Sequence, residues 1–559
     1  MADIDRRSFL RLGLASAVGL PGLLAACTPA PASTAPPTTA AAGQSAFKLP
    51  AYVPFAGPPP DYPGSIDGIQ PAYAKFPNPS NPVRSIQQVP GKGGEVSAMT
   101  TTITSPPPPL DQNPAWQAVN QEIGVTLRLN IVPSSDYVAK LSTVLAGNDL
   151  PDFIYINQGG TSPIPNILTF LQAKCADLTP YLAGDAIKTY PNLANFPTFN
   201  WKGAGTVYKG AIYGVPVPRS VLGSALFVHQ EMLESIGAEQ PKSADDFKRI
   251  LLALTRPQQE QWGIAGTQTT AFHVPTLLLQ VFGGPNQWRL EPSGKLTRDY
   301  ETDEFKAAVG FARDLYVAGA YHPKSVTYTN LGADADFEAG KFGFYYSTWL
   351  ALSTGYWPVA ARINPAFKMR GVSPFSQDGK AKPVYFLGIG NFGNTYIKQA
   401  TAERVQELLG ILNYMAAPFG THEQMLVSYG LPAADYTLDG NGNPVVTASG
   451  FQNNPVPFRY LTQYPAVQYN SVNSAEYART VHAAELDFAA AGIQDPTVSA
   501  YSPSFANLNA TLRQEMYDGI SDIVAGRRPI GDLEAVVANW RSKGGDKIRA
   551  EFEQALQSG

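Results

Sequence analysis

From Glu95 onward the chain alternates short apolar runs with amphipathic stretches. Residues 95–104 are rich in β-branched positions and predict a strand. Four prolines, 106–109, separate it from a helix starting at Asn113-Pro114, a cap followed by a first-turn proline. Trp116, Val119, Asn120 and Ile123 make that helix's inner stripe, and Val125, Leu127, Leu129 and Ile131 alternate as a second strand over 125–132. A helix over 137–146 stopped by Gly147 and a short buried strand at 153–156 follow. Strand, helix, strand, helix, strand predicts a parallel sheet covered on both faces. Ligands of such sheets sit beyond the carboxyl ends of the strands. The loops at 105–111 and at Asn157-Gln158-Gly159-Gly160 therefore share one rim.

A second alternating region predicts strands at 225–228, 262–265 and 342–347 and helices at 231–236, 244–254 and 303–318. Ser243 caps its helix, with Asp245 and Asp246 in the first turn. Residues 385–391 read as a strand re-entering the first region, a helix follows at 402–415, and the chain is helical from Asn509. The order predicts an α/β protein of two lobes joined by chain that crosses more than once.

Length agrees, because 559 residues exceed what one core usually serves. With 44% hydrophobic and 15% charged residues, disorder, coiled coil and multiple membrane spans are excluded. The net charge of −4 supplies no general attraction for nucleic acid.

Arg6-Arg7 precede a short apolar run that reads as an export signal of twin-arginine type over 1–26, too short to span a membrane. Leu24-Ala25-Ala26-Cys27 resembles a bacterial lipobox, which implies diacylation of Cys27 and a membrane-anchored lipoprotein on the outer side of the cytoplasmic membrane. Residues 27–47 are an Ala/Pro/Thr tether, and 48–90 a Pro-rich strap with enough aromatics to pack on the body. Cys175 is then the single cysteine left, in a helix-like apolar pattern that suits a buried inert thiol.

Three motifs recur in order: Leu150-Pro151-Asp152-Phe153-Ile154, Ile212-Tyr213-Gly214-Val215-Pro216 and Phe337-Glu338-Ala339-Gly340-Lys341-Phe342-Gly343. With the tail from Ile523 to Glu551, they resemble the bacterial extracellular solute-binding proteins of family 1, the carbohydrate-binding components of ABC importers. The resemblance covers about residues 91–559. It implies a periplasmic-binding-protein-like, type II clamp with hinge strands, lobe 1 near 91–218 and 385–430 and lobe 2 near 219–384 and 431–559. It further implies a monomer that works with permease subunits, needs no cofactor and does no chemistry on its ligand.

The resemblance assigns sugar stacking to Trp349, with Tyr346 as its neighbour, and points the loop carrying Gln158 at the cleft. Core packing of Trp349 stays open. Arg219 and Ser220 follow the Tyr-Gly-Val-Pro motif at the first crossing, where Arg219 either grips ligand hydroxyls or a carboxylate, or bridges the lobes. Asp111 on the first loop, Trp288 and His273 around Gly283-Gly284-Pro285, and Asn391 complete the candidates. Rings cover sugar faces while polar side chains satisfy hydroxyls whose burial unpaired is costly. Two other readings stand beside this one: a secreted glycoside-acting enzyme with paired carboxylates, and the same clamp holding a peptide or other polar solute.

The run Asp435 to Asn443 starts like a calcium loop, but Val446 stands where the bidentate Glu belongs, so a hairpin turn is expected. The five histidines have no zinc spacing.

Overall fold

The computed structural model describes residues 47–559 except 66, 148, 158–163, 165–166, 204, 268, 350–359, 361–363, 365–366, 455, 472–473 and 559. The export signal, Cys27 and Gln158 lie outside the described residues.

The principal elements, in chain order, are β1 (Glu95–Thr102), α1 (Pro114–Ile123), β2 (Thr126–Pro133), α2 (Tyr137–Ala146), β3 (Phe153–Ile156), β4 (Gly214–Pro218), β5 (Ser224–His229) and α3 (Ala244–Leu254). Next come β6 (Trp262–Ile264), α4 (Asp303–Val317), α5 (Asn330–Glu338), β7 (Phe342–Thr348), β8 (Met369–Gly371), β9 (Asn391–Ile397), α6 (Ala402–Met415), α7 (Ser474–Ala491) and α8 (Pro503–Val524). Local chemistry sets many of these ends. Asn113 accepts from the Trp116 amide at the start of α1, and Gly124, at φ 72°, takes the left-handed turn that ends it. Ser243 and Thr302 cap α3 and α4 in the same way.

Two sheets carry the lobes. The first runs β2-β1-β3-β9-β4, with β1 parallel to β2 and β3 and with β9 antiparallel to both its neighbours. All four residues of β3 are buried, as a central strand covered on both faces requires. Trp116, Leu127, Phe153 and Leu408 pack on one face, and Met99, Tyr137, Leu141 and Ile156 on the other. The second sheet runs β8-β5-β7-β6. Along β7 the side chains alternate: Phe344 joins a core with Phe247 and Ile520, whereas Tyr345 joins one with Phe227, Phe337 and Trp349.

Two assignments change. The strand expected at 385–391 is two pieces: Tyr385–Phe386 pairs with Gly492–Ile493, and the strand of the first sheet is β9. Gly388-Ile389-Gly390 breaks the run, with Gly390 at φ 77°, so Asn391 begins this strand instead of ending it. Secondly, the stretch after residue 430 does not go straight to lobe 2. Val456, Phe458 and Leu461 fill the first lobe's core, and only with α7, through Tyr477, Val481 and Phe488, does the chain join the second. Short apolar turns carry no mark of the core they serve.

The chain crosses between the sheets at 219–223 and at 387–390, where Gly388 N–H donates to Val221 O at 2.6 Å and Arg219 N–H to Gly390 O at 3.0 Å. Gly223 and Gly388 face each other with no side chain between them. Residues 47–90 fasten to both lobes. Val53 N–H donates to Ala194 O at 2.8 Å, Gln70 reaches Glu485 on α7, and the Ser85 amide donates to Glu423 at 3.1 Å. Residues 436–446 are the expected hairpin, Tyr436–Leu438 against Pro444–Val446.

Candidate functional site

Between the two sheets lies a cavity of about 1640 Å³. Its first wall is built by the chain after β3 (Asn157), the 201–208 turn, Phe392 on β9 and Arg459-Tyr460; the crossings supply Arg219, Ser220 and residues 386–391. Its second wall comes from the end of β7 (Tyr345 to Thr348), α5, the 267–276 loop and the segment leading into α8.

Among the sequence candidates, Tyr346, Arg219, Ser220, His273 and Asn391 come together there. The half-buried Tyr346 accepts from Gln280 Nε2 at 3.1 Å, and burial pushes its hydroxyl up to about 12, so it is a neutral donor. His273 is 1% exposed, and burial lowers its imidazole to about 4. Its Nε2–H donates to Ala265 O at 3.0 Å, a carbonyl that can only accept, which leaves the buried Nδ1 as an acceptor. Ser220 accepts from the Leu222 amide at 2.9 Å and donates to Gly68 O at 3.4 Å, tying the crossing to the strap. The Asn391 amide reaches Asn394 Oδ1 at 3.3 Å, so it braces the start of β9 at the cavity floor.

Trp349 is not at the cleft surface. It is 0% exposed, its ring stacks on Phe227 at 5.6 Å and 7°, and its Nε1–H donates to Glu485 Oε1 at 2.7 Å. With one face on Phe227 and the Phe488 ring packed perpendicular to it, centroids 4.9 Å apart, the indole presents no ring face to a sugar. Trp288, 2% exposed, packs against Trp540 and Phe552 in the second lobe's core. Asp111 sits exposed on the turn Leu110–Gln112, away from the cavity lining.

Sequence reasoning missed an aromatic and guanidinium cluster on the first wall. The Phe392 and Tyr460 rings lie 5.8 Å apart at 33°, with the Arg219 guanidinium 4.7 Å from the Phe392 centroid and that of Arg459 5.0 Å from Tyr460. Tyr208 of the first wall and Tyr501 of the segment leading into α8 meet edge to face at 5.4 Å. Rings and hydrogen-bonding groups from both walls therefore face one volume, the arrangement of a ligand site that both lobes complete. Among the described residues, no three of His, Cys, Asp or Glu gather as a metal set.

A family model described as bacterial extracellular solute-binding protein matches residues 115–442, more than half of the chain. This chain belongs to that family. It is similar to lipoprotein LipO of Bacillus subtilis (strain 168), 23% identical over 486 residues that cover 82% of this chain and 91% of LipO. It is also similar to the polygalacturonan/rhamnogalacturonan-binding protein YtcQ of the same organism, 22% identical over 464 residues that cover 80% and 89% of the two chains. In three dimensions it matches the alginate-binding protein AlgQ2 with a TM-score of 0.62 at 15% identity, over 83% of this chain and 98% of that one. The fold is that of the two-lobe solute-binding proteins. No helix among the described residues is long and apolar enough to cross a membrane.

Proposed function

We propose that this protein captures an oligosaccharide between its lobes, closes on it about the crossing segments, and hands it unchanged to the permease of an ABC importer. The observation that carries this is the cavity itself. At about 1640 Å³ it exceeds the ~300–1,000 Å³ of a site for one small molecule. It is lined by rings, hydroxyls and amides from both lobes. A ligand touching both walls at once favours the closed state by as much as it binds that state more tightly. The ligands that give YtcQ and AlgQ2 their names, polygalacturonan/rhamnogalacturonan and alginate, support a saccharide. The working chain acts as a monomer, and the lipobox at Cys27 and the lipoprotein name of LipO support its anchoring by an N-terminal lipid outside the membrane.

Thermal unfolding across a panel of oligosaccharides tests the proposal. At a hundredfold excess over its dissociation constant, a bound sugar adds about 2.7 kcal/mol of stability. A clear rise in melting temperature with at least one oligosaccharide is expected, with the sugar recovered intact. No rise with any of them refutes a saccharide ligand, and cleavage of the sugar refutes binding without chemistry.

A further inference from the structure

The charged groups of the cleft are unevenly committed. On the second wall, three of the acids already have partners: Asp299 pairs with Arg298 at 2.7 Å, Asp334 accepts from Tyr345 Oη at 2.8 Å, and Asp495 accepts from both the amide and the hydroxyl of Thr497 at 2.8 Å. Glu338, on the same helix as Asp334, also lines that wall. On the first wall the two guanidiniums of the aromatic cluster have no carboxylate within ion-pairing distance among the described residues. Arg219 gives one N–H to Pro218 O at 3.0 Å, and Arg459 gives one to Tyr460 Oη at 3.3 Å. Each guanidinium carries five N–H donors in a planar fork, so most of the donors of this pair are left for ligand or solvent at the cavity lining. The two guanidiniums lie over Phe392 and Tyr460, rings that are themselves in contact, so both are carried on one aromatic platform.

Arg219 is half-buried at the crossing and Arg459 is exposed, and an anion between the two like charges would offset their repulsion. Burial first, and then the charge of Arg459, lower Arg219 to about 10.

We infer that the first wall, through Arg219 and Arg459, binds a carboxylate carried by the ligand, so that the cleft selects acidic, uronate-containing oligosaccharides over neutral ones. This rests on the saccharide reading above and narrows it. Arg219 lies on a crossing segment and Arg459 on the first lobe, so a carboxylate between them ties ligand charge to the position of the hinge. A charge-assisted, two-pronged contact adds geometric selectivity as well as affinity.

The test is calorimetric titration of the full chain with trimers of galacturonate, glucuronate and mannuronate, each beside its methyl ester, which keeps the shape and removes the charge. Neutral oligosaccharides of the same length complete the series. At least one acid trimer is expected to bind about tenfold or more tightly than its ester, the factor of one hydrogen-bonded charge. Arg459→Gln and Arg219→Gln should each shrink that ratio several-fold. Equal binding of acid and ester, or binding of neutral sugars alone, overturns the charge assignment and leaves the saccharide reading standing. If no saccharide of any kind binds, both fall. The ester comparison uses the unaltered chain, so it holds even if a variant fails to fold.

Discussion

Replacing Trp349 by Phe separates a core tryptophan from a sugar-stacking one. The indole N–H donates to Glu485 Oε1 at 2.7 Å inside the second lobe. At pH 8, where Glu485 is ionised, losing a hydrogen bond to a charged group costs about 1.5–3 kcal/mol. Phe also vacates part of a site where Gly371 and Phe488 press on the indole, which adds about 1 kcal/mol if the walls do not collapse. Glu485 keeps its other donors, the Gln70 amide and side chain at 2.7 Å and Gln468 Nε2 at 2.9 Å, so the carboxylate is not abandoned. The sum is about 2.5–4 kcal/mol, a large share of the ~5–15 kcal/mol typical of a domain. Urea denaturation at pH 8 should show a much lower midpoint for Trp349→Phe. Calorimetric affinity for the best oligosaccharide should stay within about twofold, or ~0.4 kcal/mol. An unchanged midpoint with affinity lost tenfold would return Trp349 to the cleft and refute this assignment.

Three further outcomes follow from the same packing. Burial lifts Glu485 from 4.5 to about 7, so the folded chain holds its proton more tightly than the unfolded chain. Its contribution is therefore complete below 4.5 and is lost as the pH rises through 7, a fall of up to about 3 kcal/mol that Glu485→Gln should flatten in urea titrations; a flat profile in the unaltered chain sinks this. Cys175 is buried and its thiol is pushed up to about 12, so in a Cys27→Ser chain a thiol reagent at pH 8 should react only after denaturant is added, and prompt labelling would contradict the burial. At the crossing, a β-carbon on Gly223 would already lie 3.5 Å from Gly388 Cα, so Gly223→Ala should be tolerated while Gly223→Val wedges the segments apart and weakens ligand binding about tenfold; unaltered binding in the valine variant would mean these segments do not govern closure.

The first lobe was legible because its signals are local. Asn113-Pro114, Gly147 and the alternation through Leu127 and Leu129 mark the ends and faces of elements that fold where their pattern says. Trp349 was misread because two cores flank the second sheet, and no local period tells which one a residue just past β7 will enter. The deciding partner, Glu485, stands 136 residues away. The Arg219, Phe392 and Arg459 cluster was invisible for the same reason: three crossings of the chain bring together residues with no shared motif. Gly388 and Gly390 did carry a readable signal, since two glycines bracketing one residue argue against a continuous strand there.

Closure on ligand is open to direct measurement. Ile103 on the first wall and Leu331 on the second line the cavity at exposed positions, 57% and 75% accessible. Spin labels at Ile103→Cys and Leu331→Cys, in a Cys27→Ser chain where Cys175 stays buried, report the separation of the lobes by double electron–electron resonance. Saturating oligosaccharide should move the distance distribution to shorter values and narrow it. A distribution that stays in place while calorimetry shows the sugar bound would contradict a clamp that shuts around its cargo.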